Sequence, residues 1–185
     1  DLYYEGKTNK GNPDLKPEES EAFEVGLKYN TYFLRAHIAG FYRKGKNMID
    51  WVKEKPEDIW ESQNLTKVDN LGFETNLSLL PRELGNERFF IRKIELGYAF
   101  IHQDKDSEGY ISNYALDYLK HKFTAQLSHS IWKGFSATWY VRWQDRAGSY
   151  TKYENLKPAY EEPYAPYCLV DMLSLIHISE PTRLR

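Results

Sequence analysis

The sequence predicts an all-β fold: an antiparallel, up-and-down transmembrane β-barrel, with about seven strands in this chain. Three observations predict it. First, about seven runs alternate apolar with polar or small residues, the period of two that marks a strand with two unlike faces. Second, the links between runs take turns, short after the first, third and fifth and long after the second, fourth and sixth. Turns at one rim of a barrel and loops at the other produce that order, whereas a Greek-key sandwich mixes its connection lengths. Third, 16% of the chain is aromatic, with 15 Tyr and 5 Trp. These side chains have an apolar body and a polar tip, and they gather at membrane interfaces and ligand-facing surfaces.

Bulk composition is compatible with this and excludes other classes. A formal net charge of -2 and a pI near 6.3 supply no basic field for nucleic acid. Charged residues at 28% and a mean hydropathy of -0.70 resemble a soluble protein. No apolar run approaches the roughly 18 residues of a transmembrane helix. A barrel strand needs only about 9–11 residues with every second one apolar, so low hydropathy does not exclude it. Cys168 alone forms no internal disulfide framework. Asp1 is not a start residue, so the chain reads as a fragment with any export signal outside it.

Residues 1–10 are polar and aromatic without a period, and are expected to be a surface loop. In residues 12–18, Pro13 and Pro17 lack amide donors and hold their predecessors extended, giving a stiff lead-in. From Glu19, Phe23, Val25, Leu27 and Tyr29 alternate with Ala22, Glu24, Gly26 and Lys28. Asn30-Thr31 suits a short reversal. Residues 32–43 put Leu34, Ala36, Ile38 and Tyr42 on one face and Arg35, His37 and Arg43 on the other, so that second face is wet or at least polar; a soluble fold survives if the Leu34/Ile38 face points inward. A long charged link, 44–69, contains Trp51 and Trp60 and is broken by Pro56. Runs follow at 70–79, at 88–102 after a turn at 81–87, and at 120–131 after a long link from 103 to 119. Trp132-Lys133-Gly134 turns into the run 135–146. A third long link, 147–166, carries Tyr150, Tyr153, Tyr160 and Tyr164, and residues 167–172 begin one more strand.

Several of these residues carry a family signature. Asn12-Pro13-Asp14-Leu15-Lys16-Pro17-Glu18, followed by Glu24, Gly26 and Tyr29, resembles the lead-in and strand found late in the barrels of TonB-dependent outer-membrane receptors. The run from Phe41 to Trp51 resembles that family's next strand, and Asn70-Leu71-Gly72-Phe73-Glu74 its "N–x–G–hydrophobic–E" strand start. Tyr118 to Phe123 and Leu169-Val170-Asp171 stand in family order. The resemblance covers nearly all of residues 2–172. It implies a C-terminal portion of a barrel of roughly 22 strands, with plug, TonB box, early strands and closing aromatic strand lying outside it. It also implies a location in the outer membrane, TonB-energised uptake, and a partner complex acting through the plug. The cargo would be a scarce large ligand such as an iron–siderophore, haem, cobalamin or glycan. Motif order points to the siderophore/cobalamin-type receptors. The lead-in would enter from outside the cell, making the long links extracellular.

On that reading Trp51, Trp60, Tyr110, Tyr114, Tyr150 and Tyr153 are candidate ligand-stacking residues, interface anchoring or loop packing being the plainer role. Arg35, Arg43, Arg142 and Arg146 would line the lumen and could steer an anionic ligand, cross-strand pairing with Glu24, Glu74 and Glu95 being the plainer role. The barrel is expected to do no chemistry and to hold no cofactor. Asp104 to Gly109 opens like a calcium loop, but Ala115 stands where a bidentate Glu is needed, so a solvated acidic loop is expected. His37, His102, His121 and His129 lack metal-ligand spacing. The rival readings are a soluble aromatic-rich β-sandwich that binds carbohydrate and an outer-membrane barrel enzyme. Residues 173–185, opening LSLIHISEPTR, resemble translated sequencing-adapter read-through and are set apart from the barrel portion 1–172.

Overall fold

The computed structural model describes residues 5–55, 57–85, 89–106, 109–112, 118–132, 134–154 and 157–176. In chain order its strands are β1 (Asn9–Lys10), β2 (Glu19–Asn30), β3 (Leu34–Lys53), β4 (Trp60–Leu79), β5 (Ile91–Asp106), β6 (Ile111–Ser112), β7 (Leu119–Trp132), β8 (Phe135–Arg146), β9 (Ser149–Glu154), β10 (Lys157–Pro163) and β11 (Tyr167–Ile176). A single 3₁₀ turn, Pro81–Leu84, lies between β4 and β5.

Seven of these strands, β2-β3-β4-β5-β7-β8-β11, lie side by side in one sheet in sequence order, each antiparallel to the next. That is the up-and-down barrel wall expected, left open at both ends of the order. The sandwich reading fails here, because a sandwich distributes its strands over two packed sheets.

The register sorts the faces. One rung runs Leu34–Leu79–Ile94–Leu127–Trp139–Met172, apolar across six strands. An adjacent rung runs Asn30–Arg35–Ser78–Glu95–Gln126–Tyr140–Asp171, polar across all seven. A one-residue slip in any pair would mix the two faces, so the sequence pattern and the register enforce each other. On the apolar face of β2, Phe23, Val25 and Leu27 are 69%, 77% and 74% exposed. A continuous apolar face this open suits a non-aqueous neighbour.

The strands are longer than their alternation. Runs expected to end at Arg43 and begin at Asn70 instead pair on without a change of register, from Lys46–Lys67 up to Val52–Glu61. The link expected at 44–69 is therefore mostly hairpin. Alternation marks only the stretch where one face is apolar throughout; beyond it buried and exposed residues mix, and the backbone ladder continues without a regular hydrophobic signature.

At the opposite rim the reversal lies two residues later than expected, at Tyr32-Phe33, with the Thr31 hydroxyl accepting the Leu34 N–H at 3.0 Å and the Leu34 carbonyl accepting the Thr31 N–H at 2.7 Å. β5 starts at Ile91 and not Arg88, because Phe89 and Phe90 belong to the turn. There the Phe89 carbonyl accepts from Arg82 Nε at 2.9 Å and the Phe90 carbonyl from the Ser130 N–H at 2.7 Å. β11 runs to Ile176, four residues beyond Met172, since β8 offers partners as far as Phe135; residues 177–185 lie outside the described residues.

Candidate functional site

The lead-in folds as a strap over the end of β3 and β4 opposite the Thr31–Leu34 turn. Asn12 Oδ1 accepts the Asp14 N–H at 2.9 Å, a local turn. Asn64 then binds Lys16 from both sides, accepting its N–H at 2.8 Å and donating to its carbonyl at 2.9 Å. The same amide donates to the Asn47 carbonyl at 2.6 Å. Asn47 is the one non-glycine residue among those described with a positive φ, 54°, a conformation asparagine tolerates better than most. Glu18 Oε1 accepts the Ile49 N–H at 2.8 Å. Of the motif residues Asn12, Pro13, Leu15, Pro17 and Glu18, Glu18 ties the entry to β3 and Asn12 shapes a local turn, while the clamp on the wall holds Lys16 between them.

Beyond the strap, two short strands add to the β3–β4 hairpin. β1 pairs parallel with β4 (Asn9–Trp60, Lys10–Glu61), and β6 pairs antiparallel with β3 (Val52–Ser112, Lys53–Ile111). Lys10 Nζ meets Glu61 at 2.7 Å; their hydrogen bond holds the Glu61 carboxyl below its ordinary range and the Lys10 ammonium above its own. The Ser112 hydroxyl donates to Asp50 Oδ2. Trp51, Val52, Asp50, Ser62 and Ser112 are all buried. Lys105 Nζ is also out of water without a hydrogen-bond partner; desolvation lowers its pKa, and the Asp50 charge opposes that.

A second unit, following β8, is the β9–β10 hairpin, a separate two-stranded sheet. The Tyr150 hydroxyl donates to Glu162 at 3.0 Å, and Lys152 reaches the same carboxylate at 3.1 Å. Hydrogen bonding to Glu162 raises the Tyr150 phenol, and bonding to Tyr160 and Glu162 raises Lys152. The rings of Tyr150 and Tyr164 lie 5.6 Å apart, and Arg146 sits 4.6 Å above Tyr164.

The candidate stacking residues fall into these two groups. Trp51 is buried in β3, Trp60 is half-buried in β4 with Lys53 Nζ 4.5 Å above its ring, and Tyr110 is half-buried just before β6. Tyr150 is exposed on the second hairpin, and Tyr153 pairs there with Pro158. Tyr114 lies outside the described residues. All described members except Tyr110 stand on strands, where the sequence suggested irregular loops. The acidic segment is strand as well: Asp104 pairs with Asp69 and Asp106 with Lys67, so its first three positions cannot curl around calcium. Ser107 and Glu108 lie outside the described residues.

The wet face forms a trough of about 410 Å³ that includes Lys28, Arg35, His37, Glu95, Tyr140 and Arg142. Its carboxylates pair otherwise than expected, Glu95 with Lys93 at 2.8 Å and Glu74 with His37 at 3.9 Å. Arg35 opposes Ser78, and Glu95 lies one strand further, roughly 9–10 Å away. The opposite face carries a cluster in which the Tyr98 hydroxyl and His121 Nδ1 lie 2.8 Å apart, with Phe100 5.0 Å and Trp143 6.3 Å from the imidazole. His121 breaks the apolar pattern in sequence but is absorbed by aromatic partners. Cysteine substitution with a water-soluble thiol reagent checks the faces: positions 35 and 142 should label and positions 38 and 139 should not.

Reading the sequence alone missed Asn64, Asp50, Ser62, Ser112 and Lys105. Each lies above the alternating stretch, in segments expected to be loops, where no period flags an inward side chain.

Among the described residues no helix is long and apolar enough to cross a membrane, which says nothing of strands. The family model described as TonB dependent receptor-like, beta-barrel matches residues 1–174. The vitamin B12 transporter BtuB of Vibrio vulnificus is 28% identical over 115 residues, covering 55% of this chain and 18% of that protein. BtuB of Photobacterium profundum is 26% identical over 143 residues, covering 74% and 22%. Among solved structures, the FrpB iron transporter from Neisseria meningitidis superposes with a TM-score of 0.61 at 13% identity, over 90% of this chain and 25% of that one. The copper transporter OprC gives 0.62 at 15%, over 90% and 24%. The chain thus spans about a fifth of these curated relatives and about a quarter of these solved chains.

Proposed function

The chain belongs to the TonB dependent receptor-like β-barrel family, and we propose that it forms part of the wall of an outer-membrane receptor that imports a scarce, large ligand with TonB-derived energy. The single observation that carries this is the division of one continuous sheet into an open apolar face and a polar trough, within a family match that spans residues 1–174. In this reading the apolar face meets outer-membrane lipid, the trough faces the interior, and the outer strands bearing Trp60 and Tyr150 meet ligand. The TonB complex acts through a plug contributed by another part of the protein. The wall itself binds and positions, and no reaction is assigned to it.

The cargo is one of the family's classes: iron–siderophore, haem, cobalamin or glycan. Cobalamin comes first in the test, because the matched BtuB proteins are named vitamin B12 transporters; FrpB and OprC are named iron and copper transporters. The full-length gene, expressed in a host stripped of its own receptors, should fractionate with the outer membrane. It should take up labelled cobalamin or a ferric siderophore, and uptake should stop when TonB is deleted. A product soluble without detergent, or uptake indifferent to TonB, overturns the reading. Trp60→Ala and Tyr150→Ala should each weaken ligand binding about 2–10-fold, the scale of one aromatic contact, at unchanged receptor level in the membrane. Residues 173–185 remain proposed as adapter read-through, which resequencing this end of the gene from genomic DNA tests.

A further inference from the structure

The β3–β4 hairpin ends in a four-stranded sheet, β1–β4–β3–β6, to which three separate stretches of chain contribute. A single rung crosses it: Lys10 opposite Glu61, Glu61 opposite Val52, and Val52 opposite Ser112. The two outer strands have only two residues each, too short to hold themselves by backbone pairing. Side chains at the rung's ends do that instead. At one end Lys10 and Glu61 pair at 2.7 Å. At the other, the Ser112 hydroxyl is bonded to Asp50, whose side chain is buried. A buried carboxylate is costly to leave unsatisfied, so the segment carrying β6 is held where it can serve Asp50. Between the two ends Val52 is 1% exposed, so lifting the strand that pairs with it opens this position to water.

We propose that Asp50, through Ser112, latches these three stretches into one outer cap that opens and closes as a unit. The cap then presents a single rigid surface to whatever the receptor meets, in place of three independent loops. The inference does not depend on which cargo is carried.

Amide hydrogen exchange on the full-length receptor in detergent micelles tests it, with no ligand added. In Asp50→Ala, exchange should accelerate at least fivefold at Ile111 and Ser112, and also at Lys10 and Glu61 on the far side of the hairpin. By reciprocity of coupling, Glu61→Gln should speed Ser112 in return. Amides of Leu96 and Leu127 in the wall should stay protected in both, reporting an intact barrel. Should Asp50→Ala fail to assemble, Ser112→Ala removes only the donor and carries the same expectation. Acceleration confined to the β6 side, or none at either edge, would mean independently attached loops and overturns the proposal.

Discussion

Replacing Gly72 with valine should abolish assembly of the barrel, and replacing it with alanine should cost about 1–3 kcal/mol. A Cβ at position 72 would lie 2.5 Å from the Phe100 carbonyl oxygen and 2.5 Å from Phe41 Cζ. Phe41 pairs with Gly72 across β3 and β4, and Ile101 opposes it from β5. The Phe41 ring therefore lies over the glycine, an arrangement known to offset the weakness of glycine in a strand. Its two obstacles differ in kind. A phenylalanine ring can rotate away; a carbonyl in the ladder of a central strand cannot move without breaking pairing. Phe41→Leu should therefore rescue Gly72→Ala only in part and Gly72→Val not at all. The measurement is the amount of full-length receptor in the outer membrane that keeps its compact mobility on unheated gels. Wild-type levels of Gly72→Val would show that the strands can separate at this rung, contrary to the register.

The wall was legible in the sequence because lipid on one side and water on the other impose a period of two. Leu71, Phe73, Thr75, Leu77 and Leu79 alternate onto one face, and they stand opposite Tyr42, Gly40, Ile38, Ala36 and Leu34 on β3. The outer cap was not legible for the complementary reason. Val52, Asp50 and Ser62 are among the most buried residues described, yet in sequence they sit in a charged stretch without alternation. Val52 pairs with Ser112 of β6, and Asp50 accepts from that serine; a strand of two residues leaves no pattern. The lead-in motif shows a third case. Its prolines predicted a stiff extended entry, but its chief partner, Asn64, is 48 residues from Lys16, and nothing local announces such a contact. Candidate stacking residues inherit that limit: aromatic content draws attention to Trp51 and Trp60 alike, and only the paired strands separate the buried ring from the half-buried one.

Leu96→Arg and Gln126→Arg, on neighbouring strands, should have opposite fates. Leu96 lies on the rung Tyr29–Ala36–Leu77–Leu96–Ala125–Val141–Val170, one same-face step from the turn-side rung Leu34–Leu79–Ile94, and is 39% exposed. Facing hydrocarbon between midplane and rim, an arginine there should cost about 1–3 kcal/mol. Gln126 lies on the adjacent polar rung between Glu95 and Tyr140. An arginine there meets water and a carboxylate, so stability should stay within about 0.5 kcal/mol of wild type. Urea unfolding of the full-length receptor refolded into lipid vesicles reads both. The comparison turns on the solvent, because an exposed leucine facing water tolerates arginine at little cost. If Leu96→Arg proved as mild as Gln126→Arg, the face bearing Phe23, Val25 and Leu27 would have to meet water or protein, and the membrane assignment of this wall would fall with it.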